Sequence, residues 1–136
     1  MEWYLKVVKE NYINFSGRAR RKEYWMFTLI NTLIILALAF FMGMLADTSM
    51  AFLPSIILMI YVLFIILPGL AVTVRRLHDT GKSGWYYLLS LIPYVGGIIL
   101  IIMTVQNGDV GRNQYGPDPK APNNDEIDKI GKPLLD

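Results

Sequence analysis

The stretch YWMFTLINTLIILALAFFMGMLA, residues 24–46, runs for 23 positions without a charged side chain. About 20 apolar residues at ~1.5 Å rise per residue let a helix cross a ~30 Å hydrocarbon core. Two more stretches share this character, Thr48–Val74 and Ser83–Gly108, of 27 and 26 residues. Three such stretches in a 136-residue chain leave too little for a separate soluble domain. The sequence therefore predicts an all-α membrane protein: an interfacial N-terminal helix and three transmembrane segments at about 25–46, 51–74 and 85–105. These form one integral domain over residues 1–119. The polar tail over 120–136, dominated by Pro, Asn, Asp and Lys, is expected to be disordered.

Charge gives the expected orientation. Residues 1–23 carry Lys6, Lys9, Arg18, Arg20, Arg21 and Lys22 against Glu2, Glu10 and Glu23. The turn Asp47-Thr48-Ser49 has no Lys or Arg, whereas the second connection has Arg75, Arg76 and Lys82. The positive-inside rule puts the N-terminus and the second connection in the cytoplasm, and the first turn outside. Three full crossings then put the C-terminal tail outside; its Arg112, Lys120, Lys129 and Lys132 oppose this only weakly, against six carboxylates. The first span is too long for a signal-peptide core and lacks a small-residue cleavage site, so it reads as an uncleaved anchor. With no cysteine in the chain, there is no disulfide framework, thiolate metal site or cysteine nucleophile.

Residues 1–15 read as an amphipathic helix, with Tyr4, Leu5, Val8, Tyr12 and Phe15 recurring at helical spacing. Such a helix suits the headgroup layer; the alternative is one that packs on the protein itself. Ser16 is positioned to cap the next helix. In the first span Thr28, Asn31 and Thr32 form a polar stripe, and Asn31 is expected to bond a neighbouring helix for about 1 kcal/mol or less. Pro68-Gly69 predicts a kink late in the second span. Ser83 suits an N-cap for the third segment, and Trp85, Tyr86 and Tyr87 suit an aromatic belt. Pro93-Tyr94-Val95-Gly96-Gly97 falls in the middle of that segment. A kinked spanning helix is the preferred reading; the rival is a re-entrant hairpin that returns the tail to the cytoplasm.

Three polar clusters flank the apolar segments: FSGRARRKEYW (15–25), RRLHDTGKSGW (75–85) and GRNQYGPDP (111–119). In this order they resemble the YhaH-like family of bacterial inner-membrane proteins, domain of unknown function 805, over roughly residues 1–120. The resemblance implies a bacterial inner-membrane location and supplies no activity, cofactor or catalytic residue.

Function must then be read from the clusters. Arg18, Arg20, Arg21, Lys22, Arg75, Arg76 and Lys82 map to one membrane face by the charge argument. A basic group near an anionic leaflet is worth about 1 kcal/mol, and Arg forks match phosphate oxygens. The leading expectation is a non-enzymatic protein whose cytoplasmic basic face binds anionic lipid headgroups or a partner protein. Its candidate residues are Arg18, Arg20, Arg21, Arg75, Arg76, His78, Asp79 and Lys82. The plainer alternative is that these residues only fix topology and anchor helix ends.

His78-Asp79 is the one candidate for acid–base chemistry. Adjacent residues on a helix do not face each other, so Asp79 is expected to pair with Arg75 at i,i+4 or to cap the Thr80-Gly81 turn. A membrane enzyme using His78 and Asp79 is one alternative. A small oligomeric transporter or channel subunit is another, although the spans contain no ionisable residue to mark a pathway. One histidine and no cysteine give no metal-ligand spacing, and no cofactor is expected. Basic clusters at helix–bilayer junctions, without an element to read bases, give no nucleic-acid site. The 111–119 cluster is rich in turn formers and is expected to pack back onto the helix ends.

Overall fold

The structure is a computed structural model that describes residues 2–50 and 52–121. Nearly all of the expected disordered tail, residues 122–136, lies outside the described residues. Helices account for the regular structure, and no strand forms among the described residues. The chain divides into two units, Met1–Asn14 with Lys22–Ala71, and Phe15–Arg21 with Val72–Asp136.

Two long helices match the first two apolar stretches. Helix α2 covers Arg21–Met44 and helix α3 covers Phe52–Asp79. At ~1.5 Å per residue they extend about 36 and 42 Å, more than a ~30 Å hydrocarbon core requires. Leu29, Leu33, Leu36 and Phe40 on α2, and Ile57, Ile60, Leu63 and Phe64 on α3, are exposed. An apolar helix inside a soluble protein would bury such a surface; here it is left exposed, as on a helix that crosses a membrane. Between the helices, Thr48 closes a tight turn by donating its N–H and hydroxyl to the Leu45 carbonyl.

The first unit is joined by polar contacts from few residues. Asn31 is buried; its amide donates to the Phe27 carbonyl at 2.6 Å and accepts the Tyr61 hydroxyl of α3 at 2.6 Å. The expected bond between neighbouring helices is thus made. Pro68 lies inside α3, which continues past it to Asp79. A proline cannot donate to the carbonyl four residues back, here Phe64. The Tyr12 hydroxyl takes that orphaned acceptor at 2.6 Å, and its ring lies 5.2 Å from that of Phe64.

The N-terminal segment departs from the expected helix over 1–15. A short α1, Glu2–Leu5, widens into a π-helical turn, Lys6–Glu10, closed by Asn11 donating to the Lys6 carbonyl. Its contacts are with protein: Val7 is fully buried and Tyr4 stacks on Phe27 at 5.7 Å. Leu5 and Phe15 of the predicted face are exposed instead. Of the predicted face, Tyr4 contacts α2 through Phe27 and Tyr12 contacts α3 through Phe64. Ser16 does not cap α2 either, because residues 16–20 run irregularly and the helix begins at Arg21.

The third apolar stretch is not a kinked spanning helix. It is two short helices, a 3₁₀ helix Gly84–Leu91 and helix α4 Gly96–Val105, packed against each other. They extend only about 16 and 15 Å at ~2.0 and ~1.5 Å per residue. Ser83 caps the 3₁₀ helix as expected, its hydroxyl accepting the Trp85 N–H. Pro93 cannot extend the 3₁₀ hydrogen bonding, and Tyr94 turns the chain with a positive φ of 65°. Glycine is required at position 96, where a Cβ would stand 1.9 Å from the Leu89 carbonyl oxygen. The two ends of the stretch meet, with Lys82 Nζ donating to Gln106 Oε1 at 2.8 Å. The segment is therefore a hairpin. A substituent at Gly84 would strike Val74, so the hairpin also packs closely on α3.

Candidate functional site

All three polar clusters meet in the second unit, around the last turn of α3. Residues 17–19 lie along that turn: Ala19 N–H donates to the Arg75 carbonyl at 3.0 Å, and His78 Nδ1–H donates to the Gly17 carbonyl at 3.1 Å. Gly17 has a φ of 82°, a left-handed conformation that glycine adopts without strain.

At the centre, Asp79 lies between two arginines. Its Oδ1 accepts Arg18 Nε at 2.9 Å and its Oδ2 accepts Arg76 Nη1. All three side chains are essentially inaccessible to solvent. Two buried cations against one carboxylate would be costly without further acceptors. Backbone carbonyls supply them. Arg18 also donates to the carbonyls of Gly111 and Asp109, and Arg76 to those of Thr104 and Gln106. Thr104 and Gln106 lie at the C-terminal end of α4, where carbonyls lack helical partners and a cation is favoured. One side chain from α3 thus closes the hairpin, and one from the first cluster secures the third. Gly108 passes so close that a Cβ there would stand 2.1 Å from Asp79 Oδ2.

The third cluster folds back as the sequence predicts. Asn113 and Gly116 exchange backbone hydrogen bonds at 3.1 Å, while the Asn113 side chain accepts the Tyr115 N–H and donates to the His78 carbonyl at 2.9 Å. Tyr115 stacks on His78 with ring centroids 3.8 Å apart. Asp118 accepts the N–H groups of Gly111 and Lys120. Burial works to raise its pKa, but these bonds and the nearby Arg18 and Lys120 charges outweigh it and hold the carboxyl below its ordinary value. Burial lowers the pKa of His78 below its ordinary value, with the Gly17 hydrogen bond opposing it in part.

This arrangement sorts the candidates. Arg18, Arg75, Arg76 and Asp79 are buried. Asp79 pairs with Arg76 at i,i+3 and with the distant Arg18, where Arg75 at i,i+4 was expected. His78 bonds Gly17, and the Asp79 carboxylate turns to the arginines, so the two do not form an acid–base pair. Arg20, Arg21 and Lys82 remain at the rim, half-buried, donating to the Pro119 carbonyl, Asn107 and Gln106. Arg112 and Lys120 are exposed there too. Gly108, Asp109, Asn113 and Tyr115 were not foreseen as site residues. The turn-rich composition of 108–119 was the signal that they would form a compact loop.

The family model described as "Protein of unknown function (DUF805)" matches residues 12–117, which include the first two clusters and the third as far as Pro117. The chain belongs to this family. It is 49% identical over 120 residues to the inner membrane protein YhaH of Escherichia coli K12, covering 88% of this chain and 98% of that protein. It is 46% identical over 124 residues to the inner membrane protein YhaI of the same organism, covering 91% of this chain and 100% of that one. No solved structure matches the chain. Membership in this family agrees with the lipid-ready surfaces of α2 and α3 and supports an inner-membrane protein. In this chain the Arg18–Asp79–Arg76 cluster connects the polar clusters on either side of the apolar segments.

Proposed function

We propose that this is a non-enzymatic inner-membrane protein whose cytoplasmic polar cap binds anionic lipid headgroups through its rim. The supporting observation is the charge of the second unit, which carries eight Lys and Arg against Asp79, Asp109 and Asp118 among its described residues. Arg18 and Arg76 are engaged inside, so binding falls to the outer cations Arg20, Arg21, Lys82, Arg112 and Lys120. Of the candidates named from the sequence, Arg20, Arg21 and Lys82 stay at the rim, and Arg112 and Lys120 join them. The Arg18 bond to the Gly111 carbonyl at 2.6 Å supports reading the third cluster on the same, cytoplasmic side as the other two. The tail beyond it then starts on that side rather than outside.

Native mass spectrometry of protein extracted from mixed phosphatidylglycerol and phosphatidylcholine bilayers tests the reading. Wild-type protein is expected to retain phosphatidylglycerol preferentially. At about 1 kcal/mol per cation, the combined Arg21→Gln, Lys82→Gln and Arg112→Gln variant should weaken that preference on the order of tenfold or more. No preference in the wild type, or none lost in a folded variant, overturns it and leaves the basic rim to a partner protein.

A further inference from the structure

The hairpin over residues 83–106 carries a second interaction surface. Its arms extend about 16 and 15 Å, half of a ~30 Å hydrocarbon core. Their bases are held together by Lys82 and Gln106, and Arg76 fixes the end of α4 to α3. The apex is the Pro93-Tyr94-Val95 turn, where Tyr94 is 97% exposed. Between base and apex, Trp85, Leu88, Leu91, Ile98, Ile101 and Ile102 turn outward. No ionisable group other than tyrosine occurs from Ser83 to Gly108.

We propose that this hairpin inserts into one leaflet only, its outward face covered by the acyl chains of the cytoplasmic half of the bilayer. Three features select lipid as the occupant. The surface is apolar on both arms. The arm length equals the depth of a single leaflet. The base ends at the cationic rim, so acyl chains meet the arms while anionic headgroups meet Lys82 and its neighbours. Backbone irregularity at the apex is tolerable there because the turn closes its own bonds: Val95 N–H donates to the Pro93 carbonyl and Gly96 N–H to that of Ile92. An insertion of this kind displaces lipid from one leaflet and leaves the other undisturbed. The proposal rests on the cytoplasmic placement of the cap argued above.

Site-directed spin labelling of the full chain tests it. Single cysteines replace Trp85, Tyr94 or Val105, and label depth is read from collisions with oxygen and with a water-soluble nickel complex. Measurements are made in phosphatidylcholine alone and with phosphatidylglycerol added. The expected result is position 94 nearest the midplane, with 85 and 105 both shallow and equally reduced by ascorbate from the side that bears Arg112. Labels 85 and 105 at opposite faces, or label 94 in water, would overturn the hairpin insertion. The depth profile in neutral lipid does not depend on headgroup charge. A one-leaflet profile without phosphatidylglycerol preference would therefore defeat only the headgroup reading, and the reverse result only the hairpin.

Discussion

At the scale of single residues, Asp79 has more consequence than any other side chain in the cap. It pairs with the buried guanidinium groups of Arg18 and Arg76, and its backbone carbonyl also accepts the Asp109 N–H at 2.7 Å. Removing one partner from a buried ionic cluster costs about 3–5 kcal/mol, because the remaining charges lose their compensation. Asp79→Ala should therefore lower the unfolding midpoint in detergent far more than Lys22→Ala, which removes an exposed cation of the first cluster. Gly108→Ala should act in the same direction, since its methyl would overlap the carboxylate. A melting temperature unchanged by both substitutions would mean the cluster does not hold the cap. The sequence showed these charges but not their pairing. Helical spacing admits Arg75 and Arg76 equally as partners for Asp79, and it gives no sign of Arg18, 61 residues away. Such long-range selection leaves no trace in local pattern.

Among the elements, the two long helices were legible because absence of charge over twenty-odd residues has few explanations. The third stretch looked the same by composition and folded differently. Pro93 and Gly96 marked the break, but a kink and a reversal both begin with a proline. The reversal depends on the close approach of Gly96 to the Leu89 carbonyl, a contact between arms. The N-terminal helix was ambiguous for a related reason, since one apolar face serves a membrane surface or another helix equally well. Tyr12 decides the matter locally by taking the Phe64 carbonyl that Pro68 leaves open. Tyr12→Phe keeps the ring and removes that donor, and should cost about 1 kcal/mol or more. The loss should vanish when Pro68 is replaced by Ala, which restores the helical donor. Equal destabilisation in both backgrounds, measured by unfolding in detergent, would refute the link between the two residues.

For the whole molecule, the sequence separated three polar clusters by three apolar stretches, and simple crossing arithmetic scattered them across the bilayer. The hairpin undoes that arithmetic: because its ends meet, the clusters before and after it meet as well. The central claim is that all three form one cap on the cytoplasmic side. The chain has no cysteine, so single-cysteine variants report sidedness cleanly. The most direct measurement labels Lys22→Cys, Ser49→Cys and Arg112→Cys in intact cells with an impermeant maleimide. The account predicts labelling at position 49 alone, with 22 and 112 labelled together once the inner membrane is opened. Labelling of position 112 along with 49 in intact cells, while 22 stays protected, would contradict it.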